Sequence, residues 1–383
     1  MPAAKSGSLR LHLANIARLV IKELRSIRAD PIMLALIVYS FTVSVNTVAT
    51  GASTEARNLA VGVVDEDHSV LSRHLRDALL PPIFQPAVEI PASAIDDEMD
   101  HERLVFVLEI PPRFESDLQA GRSAEVQVNV DATAMTQAGI GASYLQGIIQ
   151  REVANVLGRH EVQPASPVNV VIRTRFNPNL ESSWFTSVNQ VINMITMLTM
   201  ILTGAALIRE REQGTIEHLL VMPLVPTEIM LSKILANGLV ILVAAGLSLV
   251  VVVGWWLRVP IAGSLTLFLI GTALYAFTIA ALGIMLGTIA TTMGQLGLLV
   301  MPVVIVMQLL SGGSTPMESM PLWLQYLMRT ISPTPHFVSF SQAVLYRGAG
   351  ISIVWRELLV VLVIGAVYFA FSLSRFRKAI FGS

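Results

Sequence analysis

The chain has 383 residues, of which 53% are hydrophobic and 14% charged, with a formal net charge of −1 and no cysteine. A soluble domain carries about 25% charged residues, so an ordinary soluble protein is excluded, and the mean hydropathy of +0.64 agrees. The near-neutral balance assigns no nucleic-acid partner, and the lack of cysteine removes disulfides and thiolate metal sites.

Charge is unevenly spread. Long stretches hold almost none, whereas residues 51–183 are ordinarily polar. That is the pattern of a polytopic α-helical membrane protein with a water-soluble insert. In chain order, residues 1–30 open with an amphipathic helix. Ile16, Val20, Leu24 and Ile27 share one face and Arg18, Lys22 and Arg25 another, which suits a membrane surface bearing anionic lipid. A solvated helix leading into a span explains the same pattern. The first span is predicted at residues 31–50, opened by Asp30-Pro31. Its basic approach and spanning length fit a retained helix better than a cleaved leader.

The insert alternates strand-like and helical runs. Strands are predicted at Leu59–Val64, Leu104–Ile110, Glu125–Val130 and Val168–Phe176, and helices at Val70–Leu80, Arg113–Ala120 and Ala134–Arg159. This order predicts an α/β or α+β domain. Its acidic residues, among them Asp65, Asp67 and Asp96 to Glu102, read as a solvated face, and no metal is assigned to them. Five further spans are predicted near 184–208, 232–257, 265–290, 294–312 and 353–373, making six transmembrane helices in all.

Arg10, Arg18, Lys22, Arg25 and Arg28 precede the first span, and Arg375, Arg377 and Lys378 follow the last. By the positive-inside rule both termini face the cytoplasm, so residues 51–183 and 313–352 are extracytoplasmic. Trp184, Trp255, Trp256, Trp323 and Trp355 then all fall at outer ends, as interfacial aromatics do.

The loop at 209–231 is the most informative stretch. It runs Arg209-Glu210-Arg211-Glu212-Gln213-Gly214-Thr215-Ile216-Glu217-His218-Leu219-Leu220-Val221-Met222-Pro223, with Lys233 following in the next helix. A charged helix stops at Gly214, Thr215 caps a short helix with Glu217 in its first turn, and Pro223 and Pro226 end it. The Arg-Glu-x-Glu-x-Gly-Thr-x-Glu-x-Leu-Leu-x-x-Pro order resembles the coupling region of ABC type-2 permeases. Three more segments resemble that family in the same order. They are Lys22-Glu23-Leu24-Arg25 to Asp30-Pro31, Leu108-Glu109-Ile110-Pro111-Pro112-Arg113-Phe114, and Leu310-Ser311-Gly312-Gly313-Ser314-Thr315-Pro316 with Met320-Pro321-Leu322-Trp323.

The resemblance implies a permease subunit of the subgroup with a large external domain, the multidrug-type exporters. Arg18, Lys22, Glu23 and Arg25 would form the interface helix. Arg209, Glu210, Glu212, Gly214, Thr215, Glu217, Leu220, Pro223 and Lys233 would couple to an ATPase. Gly312, Gly313, Pro316 and Pro321 would belong to an external re-entrant segment. The implied partners are a cytoplasmic ATP-binding cassette ATPase, a second permease copy or paralogue, membrane lipid, and for some members a periplasmic membrane-fusion adaptor. ATP and Mg would be used by that partner, with no cofactor bound by this chain.

The spans themselves read as free of charge, which argues against an ion-coupled carrier. Asn189, Asn193, Thr196 and Met200 share a face of the second span, and Gln308 lies on the fifth. In the family these spans line the dimer interface and exit path. Interhelical hydrogen bonding and cargo contact both account for such residues. No Gly-x-x-x-x-Gly-Lys-Ser/Thr loop, Gly-x-Ser-x-Gly elbow or His-Glu-x-x-His helix occurs, and the seven histidines are scattered, so no catalytic residues are assigned. A membrane-anchored receptor with an external ligand domain and no ATPase partner is the alternative reading. A membrane enzyme is disfavoured.

Overall fold

The computed structural model describes residues 3–51, 58–101, 103–130, 135–156, 182–214, 224–315, 317 and 320–381. It divides into two units. In the first, every element among the described residues is a helix. Helix α1 (Ala3–Arg28) ends where Asp30 caps α2 (Pro31–Gly51), its carboxylate accepting from the Met33 amide at 3.0 Å. After the second unit come α7 (Ser182–Glu212), α8 (Pro226–Trp256), α9 (Leu265–Ile289), α10 (Met293–Leu309), α11 (Leu322–Ile331), α12 (Thr334–Leu345) and α13 (Ile351–Phe381).

Among the described residues, five helices are long and apolar enough to cross a membrane: α2, α7, α8, α9 and α13. The fifth predicted span, at 294–312, is α10. It has 17 residues with Pro302 inside, at the short limit for crossing a hydrocarbon core. Helices α7 and α9 form the centre of the bundle, while α2, α8 and α13 leave most of their surface uncovered. At that centre Tyr275 of α9 stacks on Phe337 of α12, ring centroids 4.1 Å apart. Helix α12 thus packs inside the bundle, with Phe337 and Phe340 fully buried.

Two helices change pitch where they meet. Ser40–Ser44 of α2 and Ser248–Trp256 of α8 are π-helical. A π turn releases a backbone carbonyl from its usual partner, and here the Phe41 carbonyl accepts from the Ser248 hydroxyl at 2.6 Å.

The predicted freedom of the spans from charge is corrected by the structure. Lys233 lies nearly two turns further into α8 than its apolar run suggested, because α8 begins at Pro226, and Glu357 lies within α13. Each charge has a partner brought by another element, which hydropathy along one segment cannot register.

The second unit contains a four-stranded mixed sheet in the order β2-β1-β3-β4. Strand β1 (Val61–Asp65) runs parallel to β2 (Val88–Glu89) and β3 (Phe106–Ile110), and β4 (Gln127–Val130) is antiparallel to β3. Among the described residues, helices α3 (Val70–Asp77), α4 (Ile95–Asp100), α5 (Phe114–Gln119) and α6 (Met135–Val156) accompany it. Alternation along the strands supplies two cores. Val61, Val63, Phe106, Leu108 and Ile110 pack with α3 residues Leu71 and Leu75, while Val64 and Val107 pack with Ile95 and Met99 of α4.

The acidic residues here serve the backbone or neighbouring arginines. Asp65 accepts from the Asp67 and His68 amides, Asp67 from the Glu115 amide and Glu115 from the Leu71 amide. Asp97 and Glu98 pair with Arg103. The predicted strand Val168–Phe176 lies outside the described residues.

Candidate functional site

The site forms where α1 meets the ends of α7 and α8. Helix α7 leaves the bundle through Arg209-Glu210-Arg211-Glu212, a run too polar for hydrocarbon. Each of these side chains reaches a different element. Arg209 lies 3.7 Å from Asp30, the cap of α2. Arg211 donates to the Ala290 carbonyl at the C-terminus of α9 (3.1 Å), and Glu212 accepts from the Met293 amide at the N-terminus of α10 (3.3 Å). Both signs suit those helix ends, since a C-terminus favours a cation and an N-terminus an anion.

Glu210 enters the central cluster. Lys233, 1% exposed, places its ammonium 2.9 Å from Glu23 of α1, 2.8 Å from Glu210 and 3.2 Å from the Ala206 carbonyl. Those three acceptors match the three donors of an ammonium group. Lys22 reaches the other oxygen of Glu210 at 2.8 Å. Two lysines and two carboxylates thus alternate with no net charge. Desolvation on this scale is tolerable only with such pairing and hydrogen bonding. Burial alone would lower the Lys22 pKa, but the Glu210 hydrogen bond and the nearby carboxylates leave it raised.

A second contact fastens α1 along its length. Glu228, in the first turn of α8, accepts from the Val225 amide at 2.9 Å and so caps its own helix. It also meets His12 at 2.7 Å and Asn15 at 3.3 Å.

Lys22, Glu23, Glu210 and Lys233, predicted from three separate segments, therefore meet in one cluster, with Arg209 and Glu212 beside it. Arg18 and Arg25 lie on exposed positions of α1. Gly214 closes α7 with φ +66°, the left-handed geometry that glycine supplies after a helix. Thr215, Glu217, Leu220 and Pro223 lie outside the described residues.

The span residues divide. Thr196 and Met200 are fully buried, Thr196 hydrogen-bonding the Tyr275 hydroxyl at 2.7 Å. Asn189 and Asn193 lie nearer the start of α7, and Gln308 lies near the end of α10. Asn189 donates to the Ser314 hydroxyl at 3.2 Å, and Gln308 points at the Asn193 carbonyl at 3.5 Å. Asn189 also leaves no room for a side chain at Gly313. Gly312 has φ +83°, Pro321 caps α11, and Pro316 lies outside the described residues.

Sequence reasoning missed His12, Asn15 and Glu228. A glutamate in the first turn of a helix that opens with Pro226 is a start signal, but nothing local links it to α1. It also missed the pairing of His336 with Glu357, although a carboxylate in an apolar run is itself a signal for a buried partner.

Chemically, the cluster offers neither a nucleophile beside a base nor a phosphate cradle. It is a junction of elements, where α1, the cap of α2 and the ends of α7, α8, α9 and α10 are tied together by ion pairs and hydrogen bonds. Comparisons with known proteins place the whole chain. The inner membrane transport permease YhhJ of Escherichia coli (strain K12) is 50% identical over 369 residues, covering 96% of this chain and 98% of that protein. The probable multidrug ABC transporter permease YbhR of the same strain is 29% identical over 94% of this chain and 98% of its own. YbhS, another probable multidrug ABC transporter permease of that strain, is 25% identical over 87% of this chain and 89% of its own. The family of ABC-2 family transporter proteins matches residues 31–374, and the chain therefore belongs to it.

Proposed function

We propose that the chain is the membrane-spanning permease subunit of an ATP-driven exporter in the inner membrane. It would have six transmembrane helices, with α10 the fifth, both termini cytoplasmic, and the α/β unit of residues 51–183 outside. The observation that carries this reading is the junction of buried Glu23, Glu210 and Lys233 with Lys22 at its exposed edge. It locks a basic amphipathic helix to the two helices flanking the Gly214 loop.

A separate ATPase would bind residues 213–222 and α1, supplying ATP and Mg. A second permease copy or paralogue would complete the pathway. Closure of the ATPase pair would push on the loop, and the junction would pass that push into the bundle. Coupling requires that the two bundle states differ in their interaction with the ATPase. Cargo would be hydrophobic or amphipathic, as the multidrug names of two relatives suggest.

Co-purification in mild detergent tests the assembly. A stoichiometric ATPase supports the exporter, and its absence favours the receptor reading. Within the assembled complex, Gly214→Val with Glu217→Ala should abolish cargo-stimulated ATP hydrolysis. Full stimulation in a normally assembled variant would remove the coupling role.

A further inference from the structure

Towards the other end of α7 lies a polar cavity of about 460 Å³. It extends from the middle of α7, where Tyr275 links Thr196 to Thr334 at the start of α12, towards its first turn, where the Tyr346 hydroxyl beside Arg347 donates to the Trp184 carbonyl. The cavity is lined by Arg329 of α11, His336 and Gln342 of α12, Arg347, and Glu357 of α13, with Met317 on an apolar side.

The charges are unequally matched. His336 holds Glu357 at 2.6 Å through Nδ1 and the Arg329 carbonyl at 2.8 Å through Nε2. A carbonyl only accepts, so Nε2 carries a proton, and the carboxylate at Nδ1 favours a second. Glu357 is thus committed to His336. Arg329 and Arg347 face the same space without an ion-pair partner among the described residues. Two guanidinium groups on a concave wall attract anions and match a phosphate or carboxylate bidentately.

A second observation concerns the rest of the ligand. Helix α11 exposes Leu322, Trp323, Tyr326 and Leu327 on the turns before Arg329. Such an apolar stripe beside a cationic residue is the pattern of a helix lying in a membrane interface. An acyl or aromatic tail could stay along that stripe while its head turns into the cavity.

We propose that this cavity receives the anionic head group, phosphate or carboxylate, of an amphipathic molecule. The proposal rests on the transport reading for its role, because it names the class of cargo, or of annular lipid, handled at the outer mouth.

The test uses the full chain in nanodiscs of neutral phosphatidylcholine, with dodecyl phosphate as probe and calorimetric titration as readout. Saturable binding is expected, weakened at least about tenfold by Arg329→Gln with Arg347→Gln and weakened less by the paired lysine substitutions, which keep the charge but lose the bidentate fork. Both arginines are exposed, so unfolding midpoints should stay near wild type and confirm folding. Unchanged affinity in the glutamine variant, equal saturable binding of dodecyltrimethylammonium, or inorganic phosphate binding as tightly as dodecyl phosphate would each overturn the proposal. Cargo transport by the complex with its ATPase is scored separately. A coupled complex that ignores dodecyl phosphate sinks this inference alone, whereas binding without any ATPase partner sinks the transport reading and leaves the site.

Discussion

At Lys233 a single ammonium inside an apolar helix meets carboxylates from two other helices, 2.9 Å from Glu23 and 2.8 Å from Glu210. Removing one partner of a buried pair costs about 3–5 kcal/mol, because it strands the remaining charge. Lys233→Met should therefore sharply lower the thermal midpoint in detergent. Adding Glu23→Gln should recover part of the loss, since contacting residues are not additive. Strictly additive losses would show that the cluster does not act as a unit. His336 carries a pH signature. Burial opposes its charge, but hydrogen bonds to Glu357 and the Arg329 carbonyl leave its pKa raised above 6.5. A raised folded-state value contributes stability that is whole below the unfolded pKa and lost as pH climbs through the folded one. The midpoint difference between wild type and His336→Gln should thus be largest near about pH 6 and shrink on raising the pH. A difference independent of pH would contradict that pairing. At this scale the sequence named Lys22, Glu23, Glu210 and Lys233, because their motif spacings are local. It did not pair them.

Elements were legible where an apolar run is long, as in α2 and α9, and less so where packing sets the ends. Helix α7 continues past its apolar run to Glu212, as the stop read at Gly214 implies, and Asp30, Lys22 and the ends of α9 and α10 receive its charged turn. Strand β2 has only two residues, too few for any alternation to show. The central pair, α7 and α9, depends on close backbone approach. A Cβ at Gly283 would sit 2.6 Å from the Met200 carbonyl oxygen, and one at Gly287 would sit 3.1 Å from the Gly204 carbonyl oxygen. Small residues at such spacing let membrane helices touch. Gly283→Ala should force the pair apart, at a cost of about 1–3 kcal/mol for overpacking. Gly297→Ala, where nothing lies within 4 Å, is the control. Equal monodisperse yield and midpoint for the two variants would refute the close approach.

For the whole molecule, the proposed orientation has a direct check because the chain has no cysteine of its own. Ser116→Cys in the α/β unit should react with an impermeant maleimide applied to intact spheroplasts. Arg377→Cys near the C-terminus should react only after the membrane is opened; the reverse pattern would invert the topology. The sequence by itself determined that the chain is a membrane protein with apolar helices and a polar insert, and it carried the family's motifs in order. Hydrophobicity, capping residues and glycine turns act within a few residues, so they can be read along the chain. Only the tertiary structure decided which charges meet. Glu23 and Lys233 are 210 residues apart, and Lys22 and Glu210 are 188 apart. It also decided that Thr196 and Met200 are sealed inside the bundle while Arg329 and Arg347 open onto a cavity. The reason is physical: burial and ion pairing depend on which surfaces the packed helices present to one another, and no local pattern encodes that.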